Sequence, residues 1–117
     1  MLMQRISHAA VGVAQGTRLL FSAFEEGGEM WSGAGPRVVR HRIGFEASFL
    51  SPPVVQVTIS MWDIAEGSNQ RADISAEKIS RDGFDIVFRT WGDTRVARIR
   101  ADWLAIGPLR HVDDFDL

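Results

Sequence analysis

Apolar and polar positions alternate with period two through most of this chain, which is the signature of half-buried β-strands. The clearest stretch runs from Asp82 to Gly107, DGFDIVFRTWGDTRVARIRADWLAIG, where two alternating runs flank Gly92-Asp93. Glycine first in a two-residue loop suits a type II′ turn, so the pattern predicts a hairpin with Trp91 opposite Thr94. Counting outward, Phe84 would meet Ala101, Ile86 would meet Ile99 and Phe88 would meet Ala97 on a core face. Asp85 would meet Arg100 and Val87 would meet Arg98 on the other. That second face carries Asp85, Val87, Arg89, Val96, Arg98, Arg100 and Asp102. Two readings stay open for it: a solvated sheet face, or a surface that packs on another subunit through planar, bidentate arginine pairs.

Four further strands are predicted upstream. Thr17 to Phe24 has Leu20 and Ser22 on one side and Leu19, Phe21 and Ala23 on the other. Pro36 to Phe49 puts Val39, His41, Ile43 and Phe45 in one row and Val38, Arg40 and Arg42 in the other. Val54 to Asp63 sets Val55, Val57, Ile59 and Met61 against Gln56, Thr58, Ser60 and Trp62. Arg71 to Ser80 turns Ala72, Ile74 and Ala76 inward. Ser51-Pro52-Pro53 ends the second of these, because proline cannot donate within a central strand. Residues 25–36, with three carboxylates, four glycines and an exposed-looking Trp31, and the polar residues 63–70 read as long loops. Six antiparallel strands without an amphipathic helix imply a two-sheet β-sandwich, all-β in class.

Three parts are expected: an N-terminal arm over residues 1–16, the sandwich over 17–107, and an acidic tail over 108–117. The apolar run in the arm is interrupted by Ser7 and His8. It is too weak for a signal core or a membrane span, so the chain reads as leaderless, which fits release with a particle, release by lysis, or an intracellular partner. The arm is expected to dock on its own domain or a neighbour's, with His8 an ordinary arm residue. The tail, with Phe115 and Leu117 between aspartates, is either solvated or latched onto a basic row such as Arg40, Arg42 or Arg98.

Composition narrows the chemistry. The chain has 117 residues, 45% of them hydrophobic, enough for one core. Cysteine is absent, which removes disulfides, thiolate metal sites and a cysteine nucleophile. A net charge of −2 speaks against nucleic acid as a partner, although basic character is carried by arginine with Lys78 alone beside it. Glu25, Glu26 and Glu29 among glycines admit a calcium reading, but their spacing matches no EF-hand. His41 lies in an apolar row and reads as a half-buried core histidine. No G-x-S-x-G elbow is present, the histidines are scattered, and Asp113 and Asp114 would point apart on an extended strand. No catalytic site, metal site or cofactor is therefore expected.

The motif TW-x-DT-x-V at Thr90–Val96, with Trp103 about a strand later and I-S-x-x-GF at Ile79–Phe84 before it, resembles the H-type lectin domain. This is the family of the snail agglutinins and of the C-terminal domain of discoidins. The likeness continues through Phe45, Pro52-Pro53-Val54-Val55, Asp63 and Arg71, and so spans roughly residues 37 to 107. The resemblance implies non-catalytic glycan or polysaccharide binding by a homotrimer, or a hexamer built from trimers, with the sugar at the seam between subunits. By the same resemblance the sugar contacts are Arg71 and Trp91, with Asp93 and Asp63 beside them. Trp91 would alternatively be a packing residue at the seam, and Arg71 an ion-pair partner of Asp63 or Asp93. The family member that binds N-acetylgalactosamine carries a His, a Tyr and an Asp where this chain has Gly92, Ala97 and, in one register, Ala34. Asp93 and Glu29 are the alternative sources of a carboxylate, while loss of the His and the Tyr removes a donor and a stacking surface, so specificity for N-acetylgalactosamine is not assumed. The competing expectation is a structural or adhesion subunit, for instance in a spike on a phage-like particle or cell surface, with the same trimer and no sugar.

Overall fold

The computed structural model describes residues 3–7, 9–23 and 28–110. The expectations for His8, for Glu25 and Glu26, and for Asp113, Asp114, Phe115 and Leu117 lie outside the described residues. Among the described residues six strands form, β1 Val11–Ser22, β2 Arg37–Gly44, β3 Val54–Ile64, β4 Asp73–Glu77, β5 Gly83–Thr90 and β6 Val96–Pro108, with a helical turn, α1 Glu29–Ser32, between the first two. They make two antiparallel three-stranded sheets, ordered β1-β6-β3 and β2-β5-β4.

The predicted hairpin does not form. β5 and β6 follow each other in sequence but are the central strands of opposite sheets. Phe84 pairs with Ile43, Ile86 with His41 and Ala76, and Phe88 with Val39 and Ile74, while Ile99 pairs with Phe21 and Trp62, and Ala101 with Arg18 and Ile59. The two apolar rows meet face to face across the core instead of edge to edge: Phe84, Ile86, Phe88, Ile99 and Ala101 are all fully buried in one cluster. Alternation specifies which side of a strand is buried and leaves its neighbour open, which is why the faces agree with the pattern and the pairing does not. Gly92, at φ +70°, turns the chain from one sheet to the other, a conformation glycine adopts without a Cβ penalty.

Other differences have local causes. β1 starts at Val11, so residues 11–16 of the expected arm pair with Trp103–Pro108. A bulge skips Leu20 in the β1–β6 register, and it sends both Leu20 and its neighbour Phe21 toward the core. His41 closes that bulge from the facing sheet: its Nε2 lies 2.6 Å from the Leu20 carbonyl and Arg18 Nη1 3.4 Å from its Nδ1. His41 thus bridges the two sheets as a half-buried histidine, its ring set between the Leu20 carbonyl and the Arg18 guanidinium. Val96 belongs to the core and not to the outer face. β2 ends at Gly44 and β4 begins at Asp73, leaving Ala72 exposed. Gly83 crosses the Ile43 carbonyl so closely that a Cβ there would lie 2.2 Å from the oxygen.

The charged residues assigned to one face are divided between two. On the outside of β2-β5-β4, ion pairs run in alternating sequence from Arg42 to Asp85 (3.2 Å), Asp85 to Arg40 (3.7 Å), Arg40 to Glu77 (3.2 Å), Glu77 to Arg89 (2.8 Å) and Arg89 to Asp73 (3.9 Å). The arginines lie over the sheet closely enough to bury Asp85 and Val87. On the outside of β1-β6-β3, Arg98 pairs with Asp63 (3.0 Å) and Arg100 Nε donates to Ser60 Oγ (3.1 Å). The expected Asp85–Arg100 contact is absent because the two residues stand on opposite sides of the sandwich.

Candidate functional site

The connection from β5 to β6, residues 91–95, is held at both ends by buried threonines. Thr90 Oγ1 donates to the Arg71 carbonyl (2.5 Å), Thr94 Oγ1 donates to the Asn69 carbonyl (2.6 Å), and the Arg71 amide donates to Thr94 Oγ1 (3.1 Å). Two hydroxyls thus strap residues 69–71 to the connection, and the hydrogen bonds are sheltered from water. The strap lays Arg71 along Gly92, where a Cβ would sit 3.1 Å from Nη1. Nη1 then donates to Asp93 Oδ1 (2.9 Å), and the Asn69 amide donates to both Asp93 oxygens (3.1 and 3.4 Å). The Asn69 hydrogen bonds are the largest influence on the Asp93 carboxyl, followed by a smaller opposing effect of burial; with the Arg71 charge adding to them, they hold its pKa below the usual aspartate value.

Trp91, next to Gly92 in the chain, is 43% exposed. A groove of about 300 Å³ opens beside it, lined by Pro36, Arg37, Val38, Arg89, Thr90 and Trp91. Of the four residues singled out in the sequence, the structure brings Arg71 and Asp93 into contact and sets Trp91 in the same connection. Asp63 is not the partner of Arg71, since it pairs with Arg98 across β3 and β6. Trp31, expected to be exposed, is half-buried against the core, with the Arg95 guanidinium 4.5 Å above its ring.

Arg37 was missed. It is buried, and it donates from Nε to the Gly35 carbonyl (2.9 Å), from Nη1 to Met30 (3.1 Å) and from Nη2 to Gly92 (3.2 Å). With Gly35 N–H also donating to the Gly92 carbonyl (2.9 Å), it fixes the loop after α1 against the connection that carries Trp91 and Asp93. Nothing in its sequence setting marks it off from the other arginines of β2. The Thr90 and Thr94 roles were half visible, since both lie within the motif that carries the family resemblance.

The arrangement can recognise hydroxyls. Arg71 keeps guanidinium N–H groups, and Asp93 keeps lone pairs, beyond those already used, and Trp91 offers an apolar ring. Among the described residues, no group of three or more histidine or acidic side chains is placed to hold a metal ion, and no helix is long and apolar enough to cross a membrane.

A six-stranded sandwich whose central strands are joined by a strapped, solvent-facing connection agrees with what comparison with known proteins finds. The family model of the H-type lectin domain matches residues 40–106, and the chain belongs to that family. It is 54% identical over 109 residues to "ATP synthase subunits region ORF 7" of Fuscovulum blasticum, covering 93% of this chain and 95% of that one. It is 33% identical over 76 residues to discoidin-2 of Dictyostelium discoideum, covering 64% of this chain and 30% of that protein. The native structure of recombinant discoidin II from the same organism superposes with a TM-score of 0.74 at 25% identity, over 90% of this chain and 40% of that one. The chain thus spans well under half the length of the discoidins it matches.

Proposed function

We propose that this lectin-like domain binds glycans without catalysis, as a trimer or a multiple of three, with each site at a seam between subunits. Arg71 and Asp93 would hydrogen-bond adjacent hydroxyls, and Trp91 would cover the apolar side of a ring. The observation that carries this reading is the Arg71–Asp93–Asn69 cluster, which is fixed from behind by buried threonines yet open to solvent in front. Polar groups held in place before the ligand arrives lose little freedom on binding. Asp63 contributes less to the sugar, since both of its bonds to Arg98 tie β3 to β6.

Specificity for N-acetylgalactosamine does not carry over to this chain. Gly92 has no side chain and Ala97 is a buried methyl, so neither position offers the donor or the ring that the family resemblance attaches to that ligand. Several weak sites on one rigid assembly give avidity that a single shallow site lacks. A glycan array probed with the wild-type chain tests the reading. Specific signal for a defined set of neutral glycans is expected, and silence across the array would favour the spike-type structural subunit.

A further inference from the structure

Arg37 differs from the other arginines of the sheets in its charge balance. The residue is only 4% exposed, and its three nitrogens donate to the carbonyls of Gly35, Met30 and Gly92. Among the described residues it pairs with no carboxylate, whereas Arg40, Arg42, Arg71, Arg89 and Arg98 each have one at 3.2 Å or closer. Burying a charge is costly unless an opposite charge offsets it, and carbonyl oxygens carry only partial charge. Glu29 of α1 and the Arg37 methylenes both flank Gly33, yet Glu29 is exposed and makes no ion pair with Arg37. The guanidinium also has more N–H groups than these bonds use.

This residue forms part of the wall of the groove of about 300 Å³ beside Trp91. The other cation of the wall, Arg89, is neutralised by Glu77 at 2.8 Å and Asp73 at 3.9 Å, and no carboxylate lines the groove. The positive charge of the groove is therefore that of Arg37. We infer that the groove takes an anionic group, a carboxylate or a sulfate, borne by the bound glycan, with Arg37 as its counter-charge. The inference rests on the glycan reading above and adds a substrate class to it: glycans with an acidic substituent. Gly92 joins the two places, since its carbonyl accepts from Arg37 Nη2 at 3.2 Å while a Cβ on it would lie 3.1 Å from Arg71 Nη1. Both guanidinia thus border one residue. A neutral sugar engages Arg71 and Asp93 alone; one that carries an anion on the same or the adjoining ring engages Arg37 as well. Guanidinium groups match the paired oxygens of carboxylates and tetrahedral oxyanions, and Pro36, Val38 and Trp91 supply the apolar wall that a sugar ring needs. A volume at the bottom of the range of small-molecule sites suits a single ring with its substituent.

Titration of one glycan in three forms tests the inference: neutral, with one carboxylate and with one sulfate, at a protein concentration where the assembly state is the same throughout. Wild type is expected to bind at least one anionic form on the order of tenfold more tightly than the neutral form, the gain of a charge-assisted hydrogen bond. Val38→Glu sets a carboxylate at an exposed edge of the groove, and Arg37→Gln removes the charge; in each, the ratio of anionic to neutral affinity should fall to about one. Arg37→Gln also loses bonds to carbonyls, so circular dichroism and thermal melting establish whether it folds, and Val38→Glu alone decides if it does not. Equal affinity of wild type for all three forms overturns the inference and leaves the glycan reading standing. An anionic preference that survives Val38→Glu, or survives in a folded Arg37→Gln, places the anion elsewhere and overturns it too. Silence across neutral, carboxylated and sulfated glycans alike removes the glycan reading together with this inference.

Discussion

Arg71 and Asp93 stand 22 residues apart in the chain and meet at 2.9 Å, Nη1 donating to Oδ1, with side chains that remain 38% and 59% exposed. An isolated exposed pair contributes little to stability. This one is different in how it is held: Asn69 donates to the same carboxylate, and the backbone of residues 69–71 is tied to Thr90 and Thr94 from the buried side. The fold restrains the position of the pair without covering it.

The first prediction concerns pH. The Asp93 carboxyl has its pKa lowered, first by the Asn69 amide, so it takes up its proton at a lower pH than an ordinary aspartate. A depressed carboxyl gives a contribution that is present above its unfolded value and lost as pH falls through the folded one. Glycan affinity should then be flat across the neutral range and decline only in the acid range, at a lower pH than an ordinary aspartate would set, with Asn69→Ala moving the onset upward. Affinity measured against pH for both proteins checks this. A decline beginning near pH 6.5, where an imidazole titrates, would transfer the dependence from Asp93 to a histidine.

A second prediction isolates the strap. Thr94→Val keeps the shape of the side chain but leaves the Arg71 amide and the Asn69 carbonyl without the hydroxyl they bond. Each buried unsatisfied group costs about 1–3 kcal/mol, so denaturant unfolding should show a loss on the order of 2–4 kcal/mol. Thr94→Ser, which retains the hydroxyl, should lose much less. Glycan affinity should fall in the valine variant even where it is fully folded, since residues 69–71 are no longer fixed. A valine variant as stable as wild type would mean that the strap carries no weight.

Much of the fold could be read from the sequence, for a definite reason. Burial on one side of a strand leaves a period-two trace, so Phe84, Ile86, Phe88, Ile99 and Ala101 were placed in the core from their spacing, and the two-sheet sandwich followed. Strand pairing leaves no such trace. Gly92-Asp93 suits a turn within a sheet and a turn between sheets equally well, because both need glycine's freedom at φ +70°. The ionic partners of Asp85 and Asp63 depended on that pairing and changed with it. Arg71, Trp91 and Asp93 stand out in the sequence through the family resemblance, and the structure brings Arg71 and Asp93 into contact. Arg37 does not stand out in the sequence, because its role consists of backbone carbonyls from Met30, Gly35 and Gly92 that converge only in three dimensions.

Glycan binding through Arg71 is the central claim, and titration of an array-selected glycan against wild type and Arg71→Ala tests it most directly. The measurement is made at a protein concentration where light scattering shows both fully assembled. The account predicts that the assembly persists while affinity falls by on the order of 2 kcal/mol, as expected on removing a charged hydrogen-bonding partner. Unchanged affinity at full assembly, or a loss that merely follows dissociation of the assembly, would contradict it and leave Arg71 a structural ion-pair partner of Asp93.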